Sequence, residues 1–224
     1  MSRERTPIYR PASLMGLAGA LLMSTAQAST VLSEVLYDAA GTDNGNVFVE
    51  LFGAPGTVLD GLLLEGVNGA DGVVYRSIGL SGVIPLDGVF VIGDDSGDGT
   101  TLVGNADLVA EVDFQNGPDS VVLRDAAGIL DALGYGDFTG GVFAGEGSPA
   151  ADVPGGSSLA RFNPLLDTDN NLADFLALDL PTPGSVPASA SAVPLPPALG
   201  LFLCGVAGLA GIARRKTDRP VRVA

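Results

Sequence analysis

Between residues 30 and 135, short apolar runs alternate with clusters of glycine, asparagine, aspartate and proline. Apolar runs bounded by such turn-forming residues predict β-strands, and their regular spacing favours a sandwich or barrel. Eight runs follow the pattern: 30–37, 47–52, 59–67, 73–80, 89–93, 108–114, 120–125 and 129–135. No amphipathic helix is predicted among them, which disfavours parallel α/β folds. The body of the chain is therefore predicted to be all-β.

The first two runs are apolar on both faces, yet each carries one glutamate near its middle, Glu34 and Glu50. A buried carboxylate without a partner is costly, so each glutamate needs hydrogen-bond donors or a cation. Only three arginines lie in the body, and Arg161 is the predicted partner of Glu34 or Glu50. Two carboxylates on adjacent strands are also compatible with a catalytic pair, which stays open as the alternative.

The N-terminus combines three basic residues with an apolar stretch over residues 14–26 and the triplet Ala26-Gln27-Ala28. This pattern is typical of a secretory signal peptide, with cleavage by signal peptidase expected after Ala28. The apolar stretch is shorter than the ~20 residues that a membrane-spanning helix needs, which disfavours an uncleaved anchor. Residues 1–28 are therefore predicted to direct export.

The C-terminus contains a linker over residues 185–193, an apolar run over 198–213 and the basic cluster Arg214, Arg215 and Lys216. Counted from Leu195, the run has about 19 residues, close to the length of one transmembrane helix. The positive-inside rule keeps the basic cluster and the tail 217–224 in the cytoplasm. The body is then expected outside the inner membrane.

The segment Val193-Pro194-Leu195-Pro196, followed by a glycine-rich apolar run and the basic cluster, resembles a PEP-CTERM sorting signal in its Val-Pro-Leu-Pro form. Residues 194–216 are the predicted signal. The resemblance implies recognition by an exosortase, cleavage near residues 194–197, and release or attachment at the cell surface. A permanent membrane anchor is the alternative interpretation.

The charge of the body is strongly negative. Of 26 acidic residues only Glu4 and Asp218 lie outside the body, which therefore carries 24 acids against three arginines, a net charge of −21. Nucleic acid and anionic lipid repel such a surface, so neither is a predicted partner. The chain has no histidine, and Cys204 lies in the C-terminal apolar run. A Ser-His-Asp triad, a cysteine nucleophile in the body and a Cys/His zinc site are therefore excluded.

Two acidic loops offer oxygen ligands for Ca²⁺. Asp94, Ser96 and Asp98 occupy positions one, three and five of a calcium-loop pattern, with glycine at six but no acid at twelve. A second cluster comprises Asp167, Asp169 and Asn171. Ordinary turn chemistry is the alternative for both loops, since Asp, Asn and Gly favour turns without any metal.

Seven motifs occur in a fixed order along the body. They are Ser-Glu-Val-Leu-Tyr-Asp (33–38), Phe-Val-Glu-Leu-Phe (48–52), Leu-Asp-Gly-Leu-Leu-Leu (59–64), Gly-Val-Phe-Val-Ile-Gly (88–93), Asn-Gly-Pro-Asp-Ser-Val-Val-Leu (116–123), Ser-Ser-Leu-Ala-Arg (157–161) and Pro-Thr-Pro-Gly (181–184). This ordered set resembles the bacterial lamin-tail domain. The resemblance implies an immunoglobulin-like β-sandwich over residues 29–184, with structural roles for Glu34, Glu50 and Arg161.

Together these patterns predict an exported, surface-destined, non-enzymatic β-sandwich protein, acting in adhesion or in an extracellular matrix with exopolysaccharide. One alternative is a membrane-anchored periplasmic module whose binding depends on Ca²⁺. An extracellular hydrolase and a targeting module for a separate catalytic protein are further alternatives. The missing histidine weakens the hydrolase in particular.

Overall fold

The computed structural model describes residues 30–185, so the predicted signal peptide, linker after residue 185 and sorting signal lie outside the described residues. The ten strands β1–β10 are Val31–Leu36, Phe48–Phe52, Leu63–Asn68, Val74–Gly79, Val89–Asp94, Leu108–Ala110, Asp119–Arg124, Ile129–Tyr135, Ser158–Arg161 and Phe175–Leu178. One short helix, α1, covers Asn171–Asp174. Within residues 30–185 no helix has the length and apolar character needed to cross a membrane.

The strands form two sheets. One has six strands in the order β10-β9-β1-β2-β5-β6, and the other has four in the order β4-β3-β7-β8. Neighbouring strands are antiparallel except β5 and β6, which are parallel. The prediction of an all-β, two-sheet body is confirmed.

The main core lies between the sheets. Leu32, Val49 and Ile92 of the larger sheet share one buried cluster with Leu64 and Leu123 of the smaller sheet. Alternate residues of a strand point to opposite faces, so each strand contributes every second side chain to this core. The rings of Tyr37 and Tyr135 stack within it, with centroids 4.1 Å apart. This aromatic pair joins the end of β1 to β8 of the opposite sheet.

A second buried cluster covers the outer face of the six-stranded sheet. Leu36, Phe48 and Val91 form it, and Val103 from the loop between β5 and β6 packs against it. This covering loop explains why β1 and β2 are apolar on both faces. Glu50 is two residues from Phe48 on β2 and therefore lies on the same outer face.

Each of the eight predicted apolar runs overlaps a strand, although β6 is much shorter than its run. The strands β9 and β10 and the helix α1 were not predicted from the pattern. Both missed strands have only four residues. In β9 the polar residues Ser158 and Arg161 are fully buried, so apolar alternation does not identify it.

Candidate functional site

Arg161 is the centre of a buried charge cluster that joins the two sheets. It lies on β9 with its side chain 0% exposed, and Asp131 on β8 of the other sheet is equally buried. The Arg161 Nη2 atom donates to both carboxylate oxygens of Asp131, at 2.7 and 2.8 Å. Its Nη1 atom donates to Asp174 at 3.0 Å and to Asp167 at 3.1 Å. One guanidinium therefore contacts three carboxylates.

Further contacts fix the position of this cluster. The Arg161 Nε atom donates to the backbone oxygen of Leu32 at 3.0 Å, and the backbone N–H of Leu32 donates to Asp131 at 2.6 Å. The guanidinium also lies 4.6 Å from the centre of the Phe175 ring, a cation–π contact. Thus β1, β8, β9 and β10 all meet at one arginine.

The predicted pairing of Arg161 with Glu34 or Glu50 is wrong. The acids that contact Arg161 are Asp131, Asp167 and Asp174, whereas both glutamates accept hydrogen bonds from hydroxyl groups and backbone N–H groups. The physical reason is the direction of the side chains. The Arg161 side chain reaches toward the smaller sheet, while Glu50 lies on the outer face of the larger sheet.

Glu146 completes an acidic group beside this arginine. Among residues 30–185, the carboxylates of Asp131, Glu146 and Asp167 have oxygens within 4.8 Å of one another. Burial raises the pKa of Glu146 to about 8, and the negative charges of Asp131 and Asp167 add to that increase. A carboxylate at this position is therefore largely protonated at neutral pH. Glu146 therefore holds a proton more readily than it adds a further negative charge to the cluster.

The residues of the second predicted calcium cluster have other roles in the structure, and calcium binding there stays a prediction. Asp167 is paired with Arg161, and Asp169 has a left-handed backbone with φ of 53°. Asn171 is fully buried and belongs to the core. Its side chain donates to the Ala132 oxygen and accepts from the N–H groups of Gly134 and Glu146. Asn171 thus attaches α1 to β8, a structural role that the sequence pattern did not reveal.

The aspartates of the first predicted calcium loop accept hydrogen bonds, some from within the loop and some from neighbouring segments. Asp94 is buried, and its carboxylate accepts from the N–H groups of Gly45 and Asp113. Asp98 accepts from both the N–H and the hydroxyl of Thr100, which lowers the pKa of Asp98. The Ser96 N–H donates to the Thr100 oxygen. These are the contacts of a tight turn, and calcium binding at this loop stays a prediction.

Asp95, which the sequence pattern left out of the calcium positions, closes the same turn. One of its carboxylate oxygens accepts from the N–H groups of Gly97 and Gly99, both at 2.8 Å. The signal that identifies this role is the Asp-Ser-Gly-Asp-Gly sequence itself, because aspartate side chains bond to the backbone two residues later.

Glu34 and Glu50 lie beneath residues 181–185, which we call the strap. Glu34 accepts from the N–H and the hydroxyl of Thr182, at 2.8 and 2.7 Å, and Glu50 accepts from the N–H of Gly184 at 2.8 Å. The Ser158 hydroxyl on β9 also donates to Glu34, and the Ser33 hydroxyl on β1 also donates to Glu50. Both glutamates are at most 2% exposed. Among residues 30–185 neither forms an ion pair.

Burial raises the pKa of Glu50 to about 7, and the charge of Glu34 contributes to the increase, while the bonds from Ser33 and Gly184 oppose it. Protonated Glu50 has a donor for the Ser33 oxygen and still has an acceptor for Gly184, so the strap contact is compatible with either protonation state. Both glutamates accept hydrogen bonds from the strap.

A surface cleft of about 380 Å³ lies beside the cis peptide bond between Gly117 and Pro118. Its lining residues include Gly69, Asp119 and Asp137, and no basic residue is among them. Asp119 accepts from the Gly69 N–H, and Asp137 accepts from Thr139. The cleft therefore offers acceptors to a ligand but no paired acid and base.

No protein-family model matches this chain, and no curated protein matches it with significance. The residues and contacts above are therefore the basis for its function.

Proposed function

We propose that this chain is an exported, non-enzymatic protein that presents its β-sandwich at the cell surface or in the extracellular matrix, as an adhesion module among exopolysaccharide. The observation that carries the proposal is the arrangement of the sequence. A signal-peptide pattern and a sorting-signal pattern flank an acidic body of net charge −21. Charge of this magnitude keeps a secreted domain soluble among other polyanions.

We further propose that the body is an immunoglobulin-like sandwich of the lamin-tail type. The ordered motifs support this assignment because they fall on elements that define the fold. The motifs at 33–38, 48–52 and 88–93 include most of β1, β2 and β5 of the larger sheet, and the motif at 157–161 includes β9. The motif at 181–184 supplies most of the strap over Glu34 and Glu50.

The absence of suitable chemistry in the sequence supports a non-catalytic role. The body contains no histidine, cysteine or lysine. Four of its buried carboxylates already have partners: Arg161 contacts Asp131 and Asp174, and strap donors contact Glu34 and Glu50. A hydrolase needs an acid and a base that face the same substrate. Binding through surface loops and clefts requires no such pair.

Mass spectrometry of the mature protein from the producing bacterium tests the proposal. We expect an N-terminus at Ser29 and a C-terminus near Pro194–Pro197, with the protein in the surface or extracellular fraction. The variant Pro194→Ala/Pro196→Ala should retain the full C-terminus, whereas Pro220→Ala, a control in the distal tail, should be processed normally.

Two outcomes would reject parts of this proposal. A processed N-terminus together with an intact Ala224 would replace sorting by a permanent membrane anchor. An unprocessed N-terminus on protein in the cytosol would reject export altogether.

A further inference from the structure

The described chain leaves the domain by an unusual path. The last strand, β10, is at the edge of the six-stranded sheet and pairs only with β9. The strap follows β10 but does not continue away from that edge. Thr182 contacts Glu34 on β1, and Gly184 contacts Glu50 on β2, which lie two and three strands inward. The strap therefore crosses the outer face from the edge to the middle of the sheet.

Local contacts hold the strap in this path. The Ser185 N–H donates to the Thr182 oxygen, which closes a turn. Gly184 has a φ of +83°, and a Cβ atom at that position would meet the Asn105 side chain at about 3.0 Å. Any other residue at 184 is therefore strained by its backbone and also crowds Asn105. Glycine is required if the Gly184 N–H is to face Glu50.

The path determines how a pull on the C-terminus reaches the sheet. Without the strap contacts, tension at residue 185 would act on the end of β10 and separate its hydrogen bonds from β9 one after another. With them, tension acts first on the hydrogen bonds from Thr182 to Glu34 and from Gly184 to Glu50. Their acceptors are on β1 and β2, each of which is paired on both sides. The weak edge strand is thereby bypassed.

We propose that the strap is a mechanical clamp, which transfers tension from the C-terminal tail to the central strands β1 and β2 through Glu34 and Glu50. This inference rests on the proposed function, because it requires the tail to be the point of attachment. The eight residues between 185 and 194 span nine Cα–Cα steps and reach at most about 32 Å, so the clamp also keeps the predicted processing site close to the sheet.

Single-molecule pulling on the full chain in detergent micelles, with handles at its two termini, tests the clamp. The test variant is Thr182→Val/Gly184→Ala, which removes the hydroxyl bond to Glu34 and displaces the Gly184 N–H from Glu50. The matched control is Thr139→Val/Gly97→Ala. Thr139 also bonds an aspartate through its hydroxyl, and Gly97 has a φ of +92° with no neighbour within 4 Å of its Cβ position.

At a fixed load, we expect the first opening event of the test variant to be about tenfold faster than that of the wild type, because hydrogen bonds to two buried carboxyl groups are lost. The control should open at the wild-type rate. Hydrogen exchange without load should show β1 and β2 amides still protected in both variants. If the double variant is unfolded, Thr182→Val alone should show a smaller acceleration in the same direction.

Equal opening rates for the wild type and the folded strap variant would overturn the clamp, as would an equal acceleration in the control. Failure of the clamp can be distinguished from failure of the proposed function. An intact tail or cytosolic protein in cells would reject sorting or export, whereas the pulling rates would still report on the strap.

Discussion

Single residues in this domain hold buried charge in two different ways. Arg161 compensates Asp131 and Asp174 with a guanidinium. Glu34 and Glu50 instead rely on neutral donors from serine, threonine and the backbone. The first arrangement is sensitive to removal of the cation, and the second is sensitive to pH.

Replacing Arg161 tests the first arrangement. Arg161→Ala should destabilise the domain by about 3–5 kcal/mol, because it leaves the fully buried Asp131 without its cation. Arg76→Ala is the control, since the exposed pair of Arg76 with Glu111 should contribute less than about 1 kcal/mol. Urea unfolding measures both. Similar small losses in the two variants would show that the buried ion pair adds no net stability.

Glu50→Gln tests the second arrangement through pH. The pKa of Glu50 rises from 4.5 to about 7 in the folded domain, so folding favours its protonated form. Its stabilising contribution is therefore present below pH 4.5 and is lost as the pH rises through 7, by about 3 kcal/mol in total. Between pH 4 and pH 8 the wild type should lose about 3 kcal/mol more stability than Glu50→Gln, because Glu146 titrates in both proteins.

Urea unfolding at both pH values measures this difference. Glu111→Gln, a substitution at an exposed site, is the control and should keep the wild-type dependence on pH. Identical slopes for wild type and Glu50→Gln would show that burial does not perturb this carboxylate.

At the scale of elements, the loop 94–99 is a turn held by its own aspartates. A calcium ion would have to compete with these backbone donors for the same oxygens. We therefore expect the Tm of the purified protein to be equal in excess Ca²⁺ and in EDTA. A bound ion at a hundred times its Kd would add about 2.7 kcal/mol and raise the Tm by several degrees. Such a rise would establish calcium binding.

The elements also show what the sequence could and could not predict. The eight predicted strands depend on local apolar runs and turn residues, which determine strands without knowledge of the partner strand. Strand β9 was not predicted, because Arg161 and Ser158 are buried through contacts with residues far away in the chain. The sequence predicted that Arg161 pairs with a buried acid, but it did not identify Asp131 as that acid. The choice of Asp131 over Glu34 depends on how two sheets face each other.

For the molecule as a whole, self-repulsion is the main consequence of a body with net charge −21. Salt screens charges beyond about 10 Å at 0.1 M ionic strength, so added KCl should raise the Tm. Thermal unfolding in low and high KCl measures this effect. The same charge predicts no retention on duplex DNA at physiological salt. A Tm that falls with added salt would show that attractive surface pairs such as Arg76–Glu111 outweigh the repulsion.

The order of strands in the larger sheet has a consequence for the sequence of events during synthesis. Strand β1 is between β2 and β9, and its residue Glu34 accepts a hydrogen bond from Thr182, which lies 148 residues later in the chain. A growing chain therefore presents β1 with one open side, and with a carboxylate lacking its last donors, until nearly the entire body has emerged. Completion of the larger sheet is therefore delayed to the final residues of the body. If the chain is exported as proposed above, this delay would keep it able to pass through a membrane for most of its synthesis.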